Sequence, residues 1–266
     1  MVAHSLKEAL EVRKNPEYIP YTGGTDLMVW ADENAQYLFL HKVPEMKQIV
    51  EDNEYIRIGA SCTFSEIIEN PLTPKILQEA CLNIAAPAIR NVGSIGGNIG
   101  NGSAKADSAL ICMATDSKLR LASATKERIV PIREMEILPD ELIVEVLMPK
   151  QGIDNYYYQK VGGRKALAIS RVSFAGVIDI SPEGIVRNCS VAFGAVSNKI
   201  LCFSEIDEML IGKSVQEAGN LKEAYLAAYD KAIVPIRGRV GIEYRKDVCM
   251  KLLRDFFESK LGGENL

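Results

Sequence analysis

The sequence has few of the residues from which metal and iron–sulfur sites are built. Its 266 residues include two histidines, His4 and His41, and six cysteines that never form a C-x-x-C pair. Clustered thiolates and imidazoles at short spacing are the usual signature of such sites. We therefore expect no metal bound by this chain. Scattered cysteines of this kind are typical of a reduced, cytoplasmic protein.

Long apolar runs and an excess of one charge are also lacking. The stretch Ala109–Ala114 is far shorter than the roughly 20 residues needed to cross a bilayer. Residues 1–13 contain no apolar signal core, so we expect neither a membrane span nor secretion. Lysine and arginine total 31 against 35 acidic residues, a formal net charge of −4. This balance gives no general attraction to nucleic acid or to an anionic membrane.

The two parts of the chain differ in their sequence pattern. Before Gly152, short helix and strand signals alternate, and capping boxes at Ser5–Glu8 and Thr63–Glu66 each predict the start of a helix. After it, the pattern changes to long runs rich in β-branched and aromatic residues, followed by a helical region. The sequence therefore predicts an α+β fold with a domain boundary near residues 150–155. The runs predicted as antiparallel strands are 156–161, 169–180 and 185–196.

Glycine is concentrated in two segments that are candidates for ligand contact. Gly23-Gly24-Thr25-Asp26 follows a predicted strand, where it forms either a tight turn or a set of amides that face an anion. Five of the 20 glycines lie between Gly93 and Gly102. We interpret this second segment as a ligand-binding loop, because a Cβ would hold the backbone away from a flat or phosphorylated ligand. Neither segment matches the G-x-G-x-x-G dinucleotide fingerprint.

Charged residues near the glycine segments allow two interpretations each. Asp107 begins a predicted helix, where it either stabilises the helix terminus or accepts hydrogen bonds from ligand hydroxyls. Lys160, Arg164 and Lys165 form either a solvated turn or a basic cluster that compensates the charge of a phosphate or a reduced cofactor. The residues themselves do not decide between these interpretations.

Together these motifs resemble the FAD-binding subunit of the molybdenum hydroxylases, the family of xanthine, nicotinate and carbon monoxide dehydrogenases. The resemblance rests on Gly23-Gly24-Thr25-Asp26-Leu27, on the run from Arg90 to Asn98, and on Asp107. Further signatures at 165–170 and 244–246 extend it over nearly the whole chain. It departs at Ser103-Ala104, where the family often has Ser-Pro.

The resemblance implies a fold and a division of labour. Residues 1–152 would form a two-part FAD-binding domain of the vanillyl-alcohol oxidase and para-cresol methylhydroxylase type, with its parts divided near 50–60. Residues 153–266 would form a small α+β C-terminal domain of antiparallel strands and helices. This chain would hold FAD and no catalytic residue. The [2Fe-2S] clusters and the molybdopterin would belong to an iron–sulfur small subunit and a molybdopterin large subunit, and electrons would pass from the clusters through FAD to an acceptor, which we expect to be NAD.

The resemblance also assigns the FAD contacts. Residues 21–27 would wrap the pyrophosphate, 94–98 would form a second phosphate-binding loop, and Asp107 would bind a sugar-like hydroxyl. Ile84 would lie near the isoalloxazine ring, with further flavin contacts from Leu138 and Lys160. The expected FAD-binding residues are Tyr21, Thr22, Gly23, Gly24, Thr25, Asp26, Leu27, Ile84, Ser94, Ile95, Gly96, Gly97, Asn98, Asp107, Leu138 and Lys160.

Two other functions fit the same residues. A stand-alone FAD-dependent oxidoreductase of the same superfamily would show catalytic activity from this chain alone. A nucleotide-binding or assembly module would lack a redox-active flavin. A flavin spectrum in the purified protein would exclude the module, and co-purification with molybdenum and iron–sulfur subunits would exclude the stand-alone enzyme.

Overall fold

The chain divides into two units, and the computed structural model describes residues 1–262. The first unit comprises Met1–Gly102 and Asp116–Lys150. The second comprises Ser103–Thr115 and the chain from Gln151 onward. The segment that contains Asp107 therefore belongs with the C-terminal part of the chain, although residues on both sides of it belong to the first unit.

Two separate sheets form the framework of the first unit. β1 (Tyr18–Tyr21) and β2 (Gln36–Phe39) are parallel partners. The remaining strands are β3 (Ile49–Glu51), β4 (Tyr55–Gly59), β5 (Lys118–Ala122), β6 (Glu127–Pro131) and β7 (Leu142–Pro149). They form one antiparallel sheet in the order β3-β4-β7-β5-β6. The central strand, β7, is buried along most of its length, as expected for a strand with neighbours on both sides.

The helices of the first unit are short. They are α1 (Leu6–Arg13), α2 (Phe64–Glu69), α3 (Lys75–Leu82), α4 (Pro87–Arg90) and α5 (Ile95–Gly100), with single 3₁₀ turns at Leu27–Trp30, Pro44–Met46 and Ile132–Glu134. Two of them begin where the capping boxes predicted. Ser5 accepts from the Glu8 amide at 3.2 Å, and Thr63 and Glu66 form both bonds of a capping box. The orphan amides of these two helix starts are thereby satisfied.

The second glycine segment is a helix, where a loop was expected. Glycine is a poor helix former, so local propensity gave no signal for α5. The Gly96 amide donates to the Ala60 carbonyl at 2.9 Å. A Cβ added to Gly96 would lie 2.6 Å from the Cβ of Ala60. The absence of a side chain therefore lets this helix lie directly against the backbone of the segment that follows β4.

The second unit is a four-stranded sheet with helices. Its elements are α6 (Asp107–Ala114), β8 (Tyr156–Gly162), β9 (Ser170–Ile180), β10 (Val186–Gly194), β11 (Leu201–Cys202), α7 (Ser204–Asp207), α8 (Val215–Asn220), α9 (Lys222–Ala232) and α10 (Ile242–Leu261). The strands are antiparallel in the order β11-β10-β9-β8. The prediction of antiparallel strands followed by helices is confirmed.

Helices cover both faces of this sheet. On one face, the Phe174 ring of β9 lies 5.7 Å from the Phe256 ring of α10. On the other, a Cβ on Gly194 would meet Ser173, the residue adjacent to Phe174, at 2.4 Å and Leu110 of α6 at 3.5 Å. Because neighbouring residues of a strand point to opposite faces, α6 and α10 sandwich the sheet. This explains why the 103–115 segment joins the second unit.

The described residues contain no helix with both the length and the apolar character needed to cross a membrane. Within residues 1–262 there is also no group of three or more His, Cys, Asp or Glu side chains that could hold a metal ion.

Candidate FAD site

A cavity of about 700 Å³ lies in the first unit. Its volume is within the usual range for small-molecule and cofactor sites, roughly 300–1,000 Å³. One wall is the loop after β1, residues 22–27, and another is the start of α5. Apolar side chains supply most of the remaining wall: Ile19, Leu27, Val29, Trp30, Leu40, Met46, Phe64, Ile137, Leu142 and Ile143.

Direct contacts hold the two glycine segments together, although about 70 residues separate them. The Oγ1 of Thr22 and the Oγ of Ser94 are 2.5 Å apart. The side-chain amide of Asn101 donates to Asp26 at 2.8 Å. A Cβ on Gly23 would lie 2.0 Å from the Val92 carbonyl oxygen, so only glycine permits this approach. The two segments therefore form one cradle.

Backbone amides of the first loop are available to a ligand. The N–H groups from Gly23 to Leu27 donate to no acceptor among residues 1–262. Gly24 has a φ of +66°, which glycine adopts at low cost. Successive amides in a turn form a nest that binds anions. This loop therefore fits a phosphate group.

The second segment differs, because its amides are already in use. Ile95 donates to Cys62, Gly96 to Ala60, Gly97 to the Ser94 side chain, and Asn98 to Ser94. The segment lines the cavity at Ser94, Gly96, Gly97 and Asn98. It therefore supplies shape and side-chain groups to the cavity, while the amide donors come from the first loop.

One cation and one paired carboxylate complete the cavity wall. Arg13 lines the cavity and donates to the Tyr18 carbonyl at 2.7 Å. Glu141 accepts two hydrogen bonds from Arg128, at 2.7 and 2.8 Å. Because Arg128 neutralises Glu141, the carboxylate adds little repulsion toward an anionic ligand. The same pairing lowers the pKa of Glu141, with a further contribution from the Leu138 amide.

Asp107 and Lys160 meet in the second unit. The Lys160 ammonium donates to Oδ2 of Asp107 at 2.7 Å, and the Ser170 hydroxyl donates to Oδ1 at 3.0 Å. The Asp107 side chain is only 5% exposed, and the Lys160 side chain 10%. Burial raises the pKa of the Asp107 carboxyl, and the bonds from Lys160 and Ser170 oppose that rise. Ala106 is the N-cap of α6, and Asp107 lies in the first turn of that helix, where a negative charge is favourable.

The structure places the predicted FAD-binding residues in three groups. Eleven line the cavity: Tyr21, Thr22, Gly23, Gly24, Thr25, Asp26, Leu27, Ser94, Gly96, Gly97 and Asn98. A second group lies in the first unit but does not line the cavity: Ile95, Ile84 and Leu138. Arg90 fixes the turn at Ile84 by donating to its carbonyl at 2.9 Å. Asp107 and Lys160 belong to the second unit.

Several lining residues gave no signal in the sequence. The sequence placed Arg13 at the end of a predicted helix and gave no indication of a role for Glu141. Trp30, the single tryptophan of the chain, lines the cavity and is 88% exposed. A single tryptophan six residues after the Gly23-Gly24 pair was the one sign available in the sequence, and its exposure is unusual because large aromatic side chains are mostly buried.

Comparison with known proteins gives the family. Residues 1–151 match the family described as the FAD binding domain in molybdopterin dehydrogenase, and residues 156–260 match the CO dehydrogenase flavoprotein C-terminal domain. A xanthine dehydrogenase FAD-binding subunit of Escherichia coli O157:H7 is 30% identical over 76% of this chain and 71% of its own length. The nicotinate dehydrogenase FAD-subunit of Eubacterium barkeri is 26% identical over 91% of this chain and 89% of its own.

Solved structures agree with these matches. The Cu,Mo-CO dehydrogenase in its cyanide-inactivated form contains a chain with a TM-score of 0.85 and 25% identity. The match covers 98% of this chain and 96% of that one. The resemblance indicated by the glycine motifs is confirmed. The chain belongs to the family of FAD-binding flavoprotein subunits of the molybdenum hydroxylases, and it is an oxidoreductase subunit.

Proposed function

We propose that this chain is the electron-transfer subunit of a multi-subunit molybdenum hydroxylase, passing electrons from iron–sulfur clusters of a partner subunit through FAD to NAD. The observation that carries the proposal is the row of unbonded amides from Gly23 to Leu27 on the cavity wall. A dinucleotide cofactor brings a pyrophosphate, which requires donors of this kind. FAD, when bound, supplies the exchange between single electrons and electron pairs.

The residues of the cradle would bind and orient the cofactor. The amides of 23–27 would hold the pyrophosphate, and Arg13 would add a positive charge at the same cavity. Ser94 and Asn98 offer side-chain groups for the polar parts of the molecule. The apolar wall that includes Trp30 would exclude water from the apolar parts of FAD. Asp107 and Lys160 stay proposed contacts for a hydroxyl and for the flavin.

The proposal also covers the two domains and the partner subunits. The FAD-binding domain spans residues 1–152 and has the vanillyl-alcohol oxidase type of fold, supported by its two separate sheets. The C-terminal domain spans 153–266. An iron–sulfur small subunit and a molybdopterin large subunit are the proposed partners, in the cytoplasm. The names of relatives support this assembly: one is a subunit of a 6-hydroxypseudooxynicotine dehydrogenase complex, 36% identical over 80% of this chain.

Binding of FAD can be measured through the single tryptophan. Titrating FAD into the flavin-free chain should quench Trp30 fluorescence saturably. In Gly23→Ala, the new Cβ would lie 2.0 Å from the Val92 carbonyl oxygen, so the loop must move. We expect the affinity to fall at least about tenfold, which corresponds to 1.4 kcal/mol.

The matched control is Gly184→Ala. Gly184 has a positive φ, +79°, which Gly23 does not share, and no atom lies within 4 Å of its added Cβ. It belongs to a hairpin turn of the second unit, so it carries the backbone strain without touching the cradle. Unchanged FAD affinity in Gly23→Ala, or an equal loss in Gly184→Ala, would contradict the proposed site. Flavin absorbance gives a second reading of binding that does not depend on Trp30.

The assembly needs a separate test. Co-expression with the genes for the proposed partner subunits should yield a complex that contains iron, molybdenum and flavin. Substrate-dependent reduction of NAD by that complex would support the acceptor. Turnover by this chain alone, with no partner present, would instead favour the stand-alone oxidoreductase.

A further inference from the structure

A second cavity, of about 550 Å³, lies in the second unit and is strongly cationic. Among residues 1–262, its wall contains no acidic side chain and shares no residue with the wall of the FAD cradle. The cations in its wall are Lys105, Arg164, Arg171, Arg237, Arg239 and Arg245. This concentration is unusual in a chain whose net charge is −4.

These cations lack acidic partners. Among residues 1–262, none of the six forms an ion pair with Asp or Glu, although fifteen ion pairs occur elsewhere in the described chain. Like charges gathered in one wall repel each other and destabilise the folded state. A bound anion would remove that repulsion.

Arg245 is the central member of the group. It is 6% exposed, and within residues 1–262 its guanidinium donates only to the backbone carbonyls of Val196, at 3.3 Å, and Ile236, at 2.8 Å. Its Nε has no partner in the described chain. Buried charges are normally paired, because removing an ion from water is costly. Gly238 lies so close to Arg245 that an added Cβ would meet the guanidinium.

Arg171 is a second cation of the cavity with a buried nitrogen that is unpartnered in the described chain. It belongs to β9, and its Nη1 is buried without a hydrogen-bond partner among residues 1–262. Arg164 instead folds back and donates to the carbonyls of Ala166 and Leu167. The donors left for a ligand therefore come from separate segments of the chain that converge on one cavity.

We propose that this cavity binds a small phosphorylated molecule that carries at least two negative charges. Arginine matches phosphate oxygens with paired donors, and several such cations around one concave site suit a multivalent anion. The volume is that of a small-molecule site. Exposed apolar side chains at Leu167, Ile169 and Ile236 border the cations and would contact the organic part of such a ligand. The proposal does not depend on the function proposed above.

Pyrophosphate is the probe, because it presents the anionic group without an organic part. The full chain is first saturated with FAD, so that the cradle in the first unit is filled. Isothermal titration at constant ionic strength should then show one saturable site. Chloride at the same ionic strength should not compete, since it carries a single charge and simple screening would act on all anions alike.

The test variant is the double substitution Arg237→Ala/Arg239→Ala. Both side chains are exposed, so the fold should survive their loss. We expect pyrophosphate affinity to fall about tenfold for each guanidinium that bonds the anion. The control Lys213→Ala/Lys231→Ala removes the same charge from exposed positions outside the cavity wall and should bind as the wild type does.

Three results would overturn the proposal. The first is the absence of saturable binding to the FAD-saturated chain. The second is equal affinity in the Arg237→Ala/Arg239→Ala variant and the wild type. The third is displacement of pyrophosphate by chloride at the same ionic strength. Flavin absorbance in the same samples reports FAD binding independently, so a failure of this site is distinguishable from a failure of the FAD site.

Discussion

The buried pair of Asp107 and Lys160 gives the sharpest test of how the second unit is held together. Replacing Lys160 by methionine keeps an unbranched side chain that is one atom shorter and removes the charge. The Asp107 carboxylate would then retain only the bond from Ser170, at 3.0 Å, among the bonds described here. The folded chain would contain a buried carboxylate without its cation.

The expected loss of stability follows from burial. Breaking a buried ion pair by removing one partner costs about 3–5 kcal/mol, because the remaining charge stays desolvated. For a protein of this size, that corresponds to a fall in Tm of roughly 6–20 °C. A double variant, Asp107→Asn/Lys160→Met, should cost less than the sum of the two single variants, by up to about 3 kcal/mol.

A matched exposed pair separates burial from pairing. Lys222 bonds Glu258 at 2.6 Å in the same unit, but these side chains are 30% and 49% exposed. Exposed pairs contribute about 0–1 kcal/mol. Urea unfolding followed by circular dichroism should therefore show a much larger loss for Lys160→Met than for Lys222→Met. Equal losses would refute the argument that burial makes this pair important.

Two further predictions concern the first unit. Because Arg128 lowers the pKa of Glu141 below 4.5, ionised Glu141 contributes stability above pH 4.5 that is lost as the pH falls further. The urea midpoint of the wild type should therefore fall more steeply below pH 4.5 than that of Glu141→Gln, and parallel curves would contradict the pairing. In the FAD-free chain, Gly96→Ala should cost about 1–3 kcal/mol because its Cβ would lie 2.6 Å from the Cβ of Ala60. Gly100→Ala, whose Cβ meets nothing closer than 3.6 Å, should stabilise α5 by up to about 1 kcal/mol, and urea unfolding that gave both variants the same sign would refute this reading.

Local signals in the sequence predicted local structure well. The capping box at Thr63–Glu66 marks the start of α2, because its bonds join residues three apart. The turn Ser181–Gly184 joins β9 and β10 as predicted, with Gly184 at a positive φ. Such features depend on neighbours in the chain, which a sequence displays directly.

Contacts between distant residues were beyond the reach of the sequence. Asp107 and Lys160 are 53 positions apart, and nothing near either residue indicates the other. Their pairing follows from α6 lying against a sheet whose strands come later in the chain. The same packing removes the 103–115 segment from the unit in which its chain neighbours lie.

The glycines of the site show why composition alone misplaces a function. The cluster between Gly93 and Gly102 gave the stronger signal, yet Gly96 lacks a side chain because Ala60 lies against it. Its amide, like those of the residues beside it, bonds within the protein. The weaker pair, Gly23 and Gly24, carries the amides that remain available. Gly96 therefore reflects how closely α5 packs, and recognition of an anionic ligand depends on the loop whose donors the fold leaves unbonded.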